Sequence, residues 1–335
     1  MDKGIASPVS LPWFEGQWSA WVNQNGRGNF PNAILLTGPA GIGKYPLAQR
    51  LANLLVCDTP NPQPCGHCKS CRLLEAGSHP DLMTIVPEEG SKSIKIDQVR
   101  ALSDFVHSRP QVSHRLVAVV NPAEAMNVYS ANAMLKTLEE PPAGVVILLV
   151  TSQASLLLPT IRSRCQIIKL PMPEQEVAVR WLAEQSQQDM VKAAELLKSA
   201  GGQPLTGLHW HNENATDLQS QILTSWLDYL EGREDAFSLA AQWAKQDVEW
   251  VLHWLAVWMR DVMVMTTDGA DASEAYAQLS DSRLKKVTAR MSNEAAWHLY
   301  QALIEARKSV VEQRNLNPQL MLENWLLMNK KKVFV

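Results

Sequence analysis

No apolar run in these 335 residues approaches the ~20 that span a bilayer. The longest, AGVVILLV at 143–150, has the length of a buried strand. The opening MDKGIASPVSLPWFEG lacks the apolar core of a signal peptide, so the cytoplasm is the expected compartment and no membrane partner is expected. A basic excess is also missing: 31 Lys and Arg stand against 34 Asp and Glu. A chain that grips DNA alone usually carries a clear positive surplus, so any nucleic-acid role is expected to be shared with other subunits. Cysteine is scarce, with five in all. In a reducing compartment thiols serve more often as metal ligands or core residues than as disulfides. Tryptophan is abundant by contrast: 12 residues, eight of them from Trp210 onward.

The apolar runs AILLT, DLMTIV, RLVAVV, VVILLVT and CQIIKL are each short enough for a buried strand. Helix-length segments at 44–56, 97–108 and 127–139 lie between them. Alternation of this kind predicts a parallel sheet with crossover helices on both faces. The α/β pattern ends near Leu170, where PMPE breaks it. Residues 174–200 read as two or three short helices, stopped by AGGQP. From about Thr216 the pattern is helical to the end. The expected organisation is an α/β domain over 1–170 with an insertion at 57–71, a small helical domain over 171–208 and an all-α domain over 209–335.

LLTGPAGIGKYPLAQRLA is nearly a phosphate-binding loop. Gly38, Gly41 and Gly43 suit backbone N–H groups converging on phosphate, and Lys44 adds a point charge at the start of a helix. The hydroxyl that normally holds Mg²⁺ is missing, because Tyr45 stands there. The acidic pair that should follow a later strand is missing too: NPAE puts Asn121 and Pro122 in its place, with Glu124 two residues on. Nucleotide binding by this loop and a plain strand-to-helix turn are both open readings; hydrolysis of ATP is not expected.

Cys57, Cys65, Cys68 and Cys71 form C-x7-C-x2-C-x2-C. Four thiolates suit a closed, tetrahedral, structural Zn²⁺ site. His67 and His79 are possible substitutes, and Cys68 and Cys71 can share one helix face. Cys165 reads as a core thiol. Trp250, Trp254 and Trp258 make one helical stripe, read first as core packing and alternatively as a subunit interface.

The near-P-loop, the four-cysteine insertion, ANAMLKTLEEPP at 131–142 and TIRSRC at 160–165 occur in that order. In this the chain resembles the bacterial DNA polymerase III clamp-loader subunits of the AAA+ superfamily. The likeness is strong over about 33–170 and weaker through GGQP and NLNPQLMLENWLL. It implies an AAA+ fold with a helical lid and a C-terminal collar. It also implies a stator-like accessory subunit of a DNA-directed DNA polymerase holoenzyme, without an intact active site of its own. The implied partners are gamma/tau and delta subunits, and through them the sliding clamp and primed DNA. Arg164 of the Ser-Arg-Cys motif is implied to reach ATP bound by a neighbour, as a trans arginine finger; Arg162 is a weaker candidate. Thr151 and Ser152 match the place where such ATPases sense the gamma phosphate. The segment from Lys198 to His209 contains no Arg, where motor subunits commonly have one. Two other readings stand beside this one: an ATP-hydrolysing gamma/tau-like motor subunit, and a zinc-containing DNA-binding regulator with a vestigial P-loop.

Overall fold

The computed structural model describes residues 10–27, 30–59, 62–213, 215–265, 291–311 and 317–333. The start of the N-terminal segment (1–9), residues 60–61 of the cysteine insertion and the first two residues of NLNPQ lie outside the described residues.

Five short strands build one sheet: β1 (Ala33–Thr37), β2 (Leu82–Ile85), β3 (Leu116–Val120), β4 (Val145–Thr151) and β5 (Gln166–Lys169). Their order is β2-β3-β4-β1-β5, and every pairing is parallel. Strands buried on both faces read as continuous apolar runs, which is why AILLT, LVAVV and VVILLVT stand out in the sequence. Side chains alternate across such a sheet. Leu35, Ala118, Val120, Ile147 and Leu149 share one core with α4 (Ile96–Val106) and α5 (Val128–Glu139), which contribute Val99, Leu102, Val106, Ala131, Met134 and Leu138. Each fully buried Leu, Ile or Val in such a core contributes about 1.5–3 kcal/mol. On the other face, α2 (Lys44–Val56) packs against β3 and β4.

Asn127 caps α5 by accepting the Ser130 N–H at 2.9 Å. The helix ends at Glu139, and Pro141–Pro142 prevent its continuation. The i,i+4 ion pair available to Lys136 and Glu140 does not form among the described residues. Glu140 has left the helical conformation (φ −128°), and only its backbone N–H reaches the Lys136 carbonyl.

The chain divides into two compact units, 1–209 and 210–335. The first also contains α1 (Glu15–Gly26), α3 (Lys69–Glu75), α6 (Pro159–Arg162), α7 (Gln175–Ser186) and α8 (Met190–Ser199). The stretch expected to be a separate small helical domain therefore lies inside this unit, and the division falls within α9 (Pro204–Asn212). The second unit is helical: α10 (Ala215–Leu230), α11 (Ala236–Trp243), α12 (Val248–Met265), α13 (Asn293–Val311) and α14 (Pro318–Val333). Its core is built on tryptophan. Trp226 stacks on Trp258 at 6.0 Å, and Trp210 meets Trp254 edge-on at 5.4 Å. The stripe on α12 is thus mainly core: Trp254 and Trp258 are buried and Trp250 is half-buried, whereas Trp297 on α13 stays 45% exposed.

Candidate functional site

β1 lies between β4 and β5, where the strand order reverses, and the crevice at the carboxyl ends of strands near such a point is the usual ligand position in open α/β sheets. Gly38 follows β1, and the neighbouring Leu170 N–H closes onto the Thr37 carbonyl at 2.8 Å. Gly43 has φ +94° and caps α2, a left-handed position that favours glycine. Lys44 opens the helix and is buried. Its ammonium donates to the Pro39 carbonyl at 2.5 Å and to Ser152 Oγ at 2.9 Å. The Ser152 N–H in turn donates to Glu124 Oε1 at 2.9 Å, and Glu124 Oε2 is buried without a partner. Burial lowers the Lys44 pKa from 10.5 to about 8, with the Glu124 carboxylate pulling the other way.

The outer side of this loop is covered by its own chain. The Leu205 N–H, in the first turn of α9, donates to the Gly41 carbonyl at 2.9 Å. A Cβ on Gly41 would lie 2.1 Å from Thr206 Oγ1 and 2.8 Å from the Gln203 side chain. From the other direction, Trp13 Nε1 donates to the Ile42 carbonyl at 2.9 Å, and Trp181 Nε1 of α7 donates to the Ser10 carbonyl at 2.7 Å. Leu11, between them, is buried. A nucleotide needs the loop and the ammonium facing free space. Here Thr206, Gln203 and Leu11 line that space and Lys44 is engaged, so this arrangement does not fit Mg²⁺-nucleotide. Asn121 and Pro122 supply no carboxylate. Thr151 Oγ1 turns to its own strand end, accepting the Gln153 N–H at 3.1 Å.

The opposite end of α2 carries the cysteines. Cys57 follows the helix, and Cys68 is the N-cap of α3 rather than a residue within it. The four sulfurs lie within 4.8 Å of one another. Two of the separations are 3.8 Å (Cys65 to Cys71) and 3.7 Å (Cys71 to Cys57). A tetrahedron with metal–sulfur bonds of ~2.3 Å has edges of about 3.8 Å. Backbone N–H groups of Cys65, Cys68 and Cys71 point at the sulfurs of Cys57, Cys65 and Cys68, each at 3.3 Å, and such donors favour thiolate. The set therefore fits a tetrahedral Zn²⁺. The histidines stand apart from it: His67 Nδ1 bonds the Cys65 carbonyl and His79 Nδ1 accepts the Asp81 N–H. Arg50 ties the insertion to α1, lying 3.8 Å over the Trp18 ring and reaching Glu15 and Gln63.

Arg164 sits just before β5, an edge strand of the sheet. Its NH1 donates to the Thr160 carbonyl at 2.9 Å, and its NH2 pairs with Glu139 at the end of α5. Among the described residues Arg162 has no side-chain hydrogen bond or ion pair, and its Nε is buried. Cys165 packs at the core edge, where burial pushes its thiol up to about 11.

A family model described as "DNA polymerase III, delta subunit" matches residues 15–174, and one described as "DNA polymerase III, delta subunit, C terminal" matches 213–330. DNA polymerase III subunit delta' of Pseudomonas aeruginosa is 37% identical over 94% of this chain and 96% of its own. The chain belongs to the delta-prime family. The Escherichia coli member is 29% identical over 94% of each chain. Likeness to DNA polymerase III subunit tau of E. coli, 36% identical, covers only 44% of this chain and 23% of that one. The delta-prime proteins of P. aeruginosa and E. coli match nearly the whole chain whereas tau matches under half of it, so neither the motor-subunit reading nor the DNA-binding-regulator reading is favoured.

In the P-loop corner Gln203 and Thr206 escape a reading of the sequence in motif order, as does the bonding of Glu124 and Ser152 to each other. Glu124 occupies no motif position, yet its carboxylate accepts the Ser152 N–H and its charge acts on Lys44. Ser152 follows β4, and its hydroxyl accepts from that lysine. Gln203 and Thr206 lie in a stretch notable for its missing arginine, but what they contribute is the covering of Gly41. A glutamate two residues beyond NP and a hydroxyl just after VVILLVT are the sequence signals for the first pair.

Proposed function

We propose that this chain is the non-hydrolysing, stator-like subunit of a DNA polymerase III clamp loader, in a hetero-oligomer with gamma/tau and delta subunits. In this reading the other subunits bind and hydrolyse ATP, and the assembly places the sliding clamp on primed DNA in the cytoplasm. The observation that carries the proposal is the self-engaged P-loop. Lys44 is bound by Pro39 and Ser152, and Gln203 and Thr206 stand over Gly41. Tyr45, Asn121 and Pro122 remove the groups that would hold Mg²⁺ and orient water.

Two further parts belong to this reading. Cys57, Cys65, Cys68 and Cys71 would hold a structural Zn²⁺, which closes the insertion against α2 and leaves no open coordination position. Arg164 acts in trans: at an assembled interface its guanidinium stabilises charge on the phosphates of a neighbour's nucleotide.

ATPase and clamp-loading rates of loaders assembled with wild-type chain and with Arg164→Ala test the proposal. Arginine fingers contribute roughly 10³–10⁵ in rate at a single site. A loader has several sites, so the assembly should lose less, while folding and complex formation stay near wild type. Arg164→Lys should be nearly as damaging, because it keeps the charge and loses the planar fork. Unchanged rates with Arg164→Ala would remove the trans role.

A further inference from the structure

Glu139 is the last residue of α5, one position before the C-cap. An acid there faces the unpaired carbonyls at the negative end of the helix dipole and is locally unfavourable. Glu140 follows, and then two prolines. A carboxylate at this position calls for a compensating cation, and Arg164 is that cation.

The arginine's conformation is the second half of the observation. Its side chain folds back along its own segment. One terminal nitrogen donates to the Thr160 carbonyl, four residues earlier, and reaches Ser163 Oγ at 3.5 Å; the other is held by Glu139. Nε is buried with no acceptor. A trans residue has to project beyond its own chain, and this one is drawn in against α6 and the end of α5. The unmatched N–H means that the drawn-in state leaves one donor unpaid. Both partners also remain partly open to solvent, with side chains 31% and 47% exposed. Such a pair is held weakly enough to exchange.

We infer that Glu139 stows Arg164: the carboxylate occupies the guanidinium in the free chain and yields it when a neighbour's phosphates compete at an assembled interface. Glu139 is thus a positioning residue, acting through Arg164. The inference rests on the trans role of Arg164 set out above. Because exposed pairs are weak, the hold shifts the balance between stowed and extended arginine only a few-fold. It tempers idle turnover without blocking the stimulated reaction. Salt screens an exposed pair, so the hold also weakens with ionic strength.

Two measurements on Glu139→Gln test this, with Arg164→Ala alongside. In the full-length free chain, modification of Arg164 by phenylglyoxal, read by mass spectrometry, should run about two- to five-fold faster in Glu139→Gln at low salt. The difference should shrink at high salt. In the assembled loader without clamp or DNA, the same variant should raise ATP turnover about two- to five-fold, and Glu139→Gln combined with Arg164→Ala should behave as Arg164→Ala alone. Unchanged labelling, or turnover lowered by Glu139→Gln, overturns the stowing role; the second result would make the carboxylate an aligner of the extended arginine. If Arg164→Ala itself leaves turnover unchanged, the trans reading falls and the stowing role falls with it. If Arg164→Ala lowers turnover and Glu139→Gln does not raise it, only the stowing role falls.

Discussion

The two ends of α2 carry two of this chain's motifs, and they behave in opposite ways. At the N-terminal end the glycine-rich loop keeps the outline of a phosphate cradle, but its lysine, carbonyls and surrounding space are taken up by Pro39, Ser152, Leu205, Thr206 and Leu11. At the C-terminal end four sulfurs converge on one point, with the backbone N–H groups of Cys65, Cys68 and Cys71 directed at them. A site built for a ligand leaves its donors facing a common void, and a retired site spends them on its own fold. The difference between them lies in where the polar groups point, which a motif pattern does not record.

The sharpest break of this comparison would come from metal. The purified protein should contain about one Zn²⁺ per chain, and its loss should cost the insertion on the order of 10 kcal/mol of local folding free energy. Cys68→Ser should loosen the segment around residues 57–75 and leave the sheet folded. Elemental analysis under reducing, chelator-free conditions decides it; a metal-free protein would put both ends of α2 in the same class.

A smaller effect is expected at the lysine. Its folded pKa of about 8 lies below the ordinary 10.5 because burial disfavours the charge. The unfolded chain therefore binds the extra proton between pH 8 and 10.5, and stability from this group rises with pH across that window. It is fully present above the unfolded value and lost as pH falls through 8. Glu124→Gln removes the facing carboxylate. The cost at pH 7 should be about 1–2 kcal/mol, between that of an exposed pair and a buried one. Denaturant midpoints of the two proteins should converge by pH 9.5, where Lys44 is mostly neutral. An equal deficit at both pH values would mean that Glu124 does not serve as the internal counter-ion.

The smallest expected effect is none at all. Tyr45→Thr restores the missing hydroxyl, yet the isolated chain should still hydrolyse ATP at background rate, because Asn121 and Pro122 remain and the loop stays covered. Mg²⁺-dependent turnover in either protein would show that the cover opens and would reverse the contrast between the two ends.

Much of this was legible in the sequence, for physical reasons that differ by region. The strands announced themselves because a doubly covered parallel sheet demands continuous apolar runs, and β1 and β4 fall where AILLT and VVILLVT were read. The cysteines were legible because their ligand atoms lie within one short stretch. The corner around Lys44 was not: Trp13, Glu124, Ser152, Gln203 and Thr206 come from distant segments joined only by folding. Nor was the partner of Arg164 legible, since TLEEPP marks a helix end without saying what the acid meets. The tryptophans of the second unit were divided between core and surface only by packing. The i,i+4 spacing of Trp250, Trp254 and Trp258 is the same whether the rings face inward or outward.

The strand order has a consequence for how the chain is made. Ala33 pairs with Ile147 and Ile34 with Gln166, so β1 is synthesised first and finds both neighbours only after more than 100 further residues have emerged. At translation rates of about 5–20 residues per second, that is a wait of roughly 5–20 seconds for an apolar strand with no partner. The cysteine insertion, all of whose ligands lie within residues 57–71, is complete long before then. On the ribosome the four thiols are therefore available to one another while the sheet is still open, beside the helix that β1 will later need.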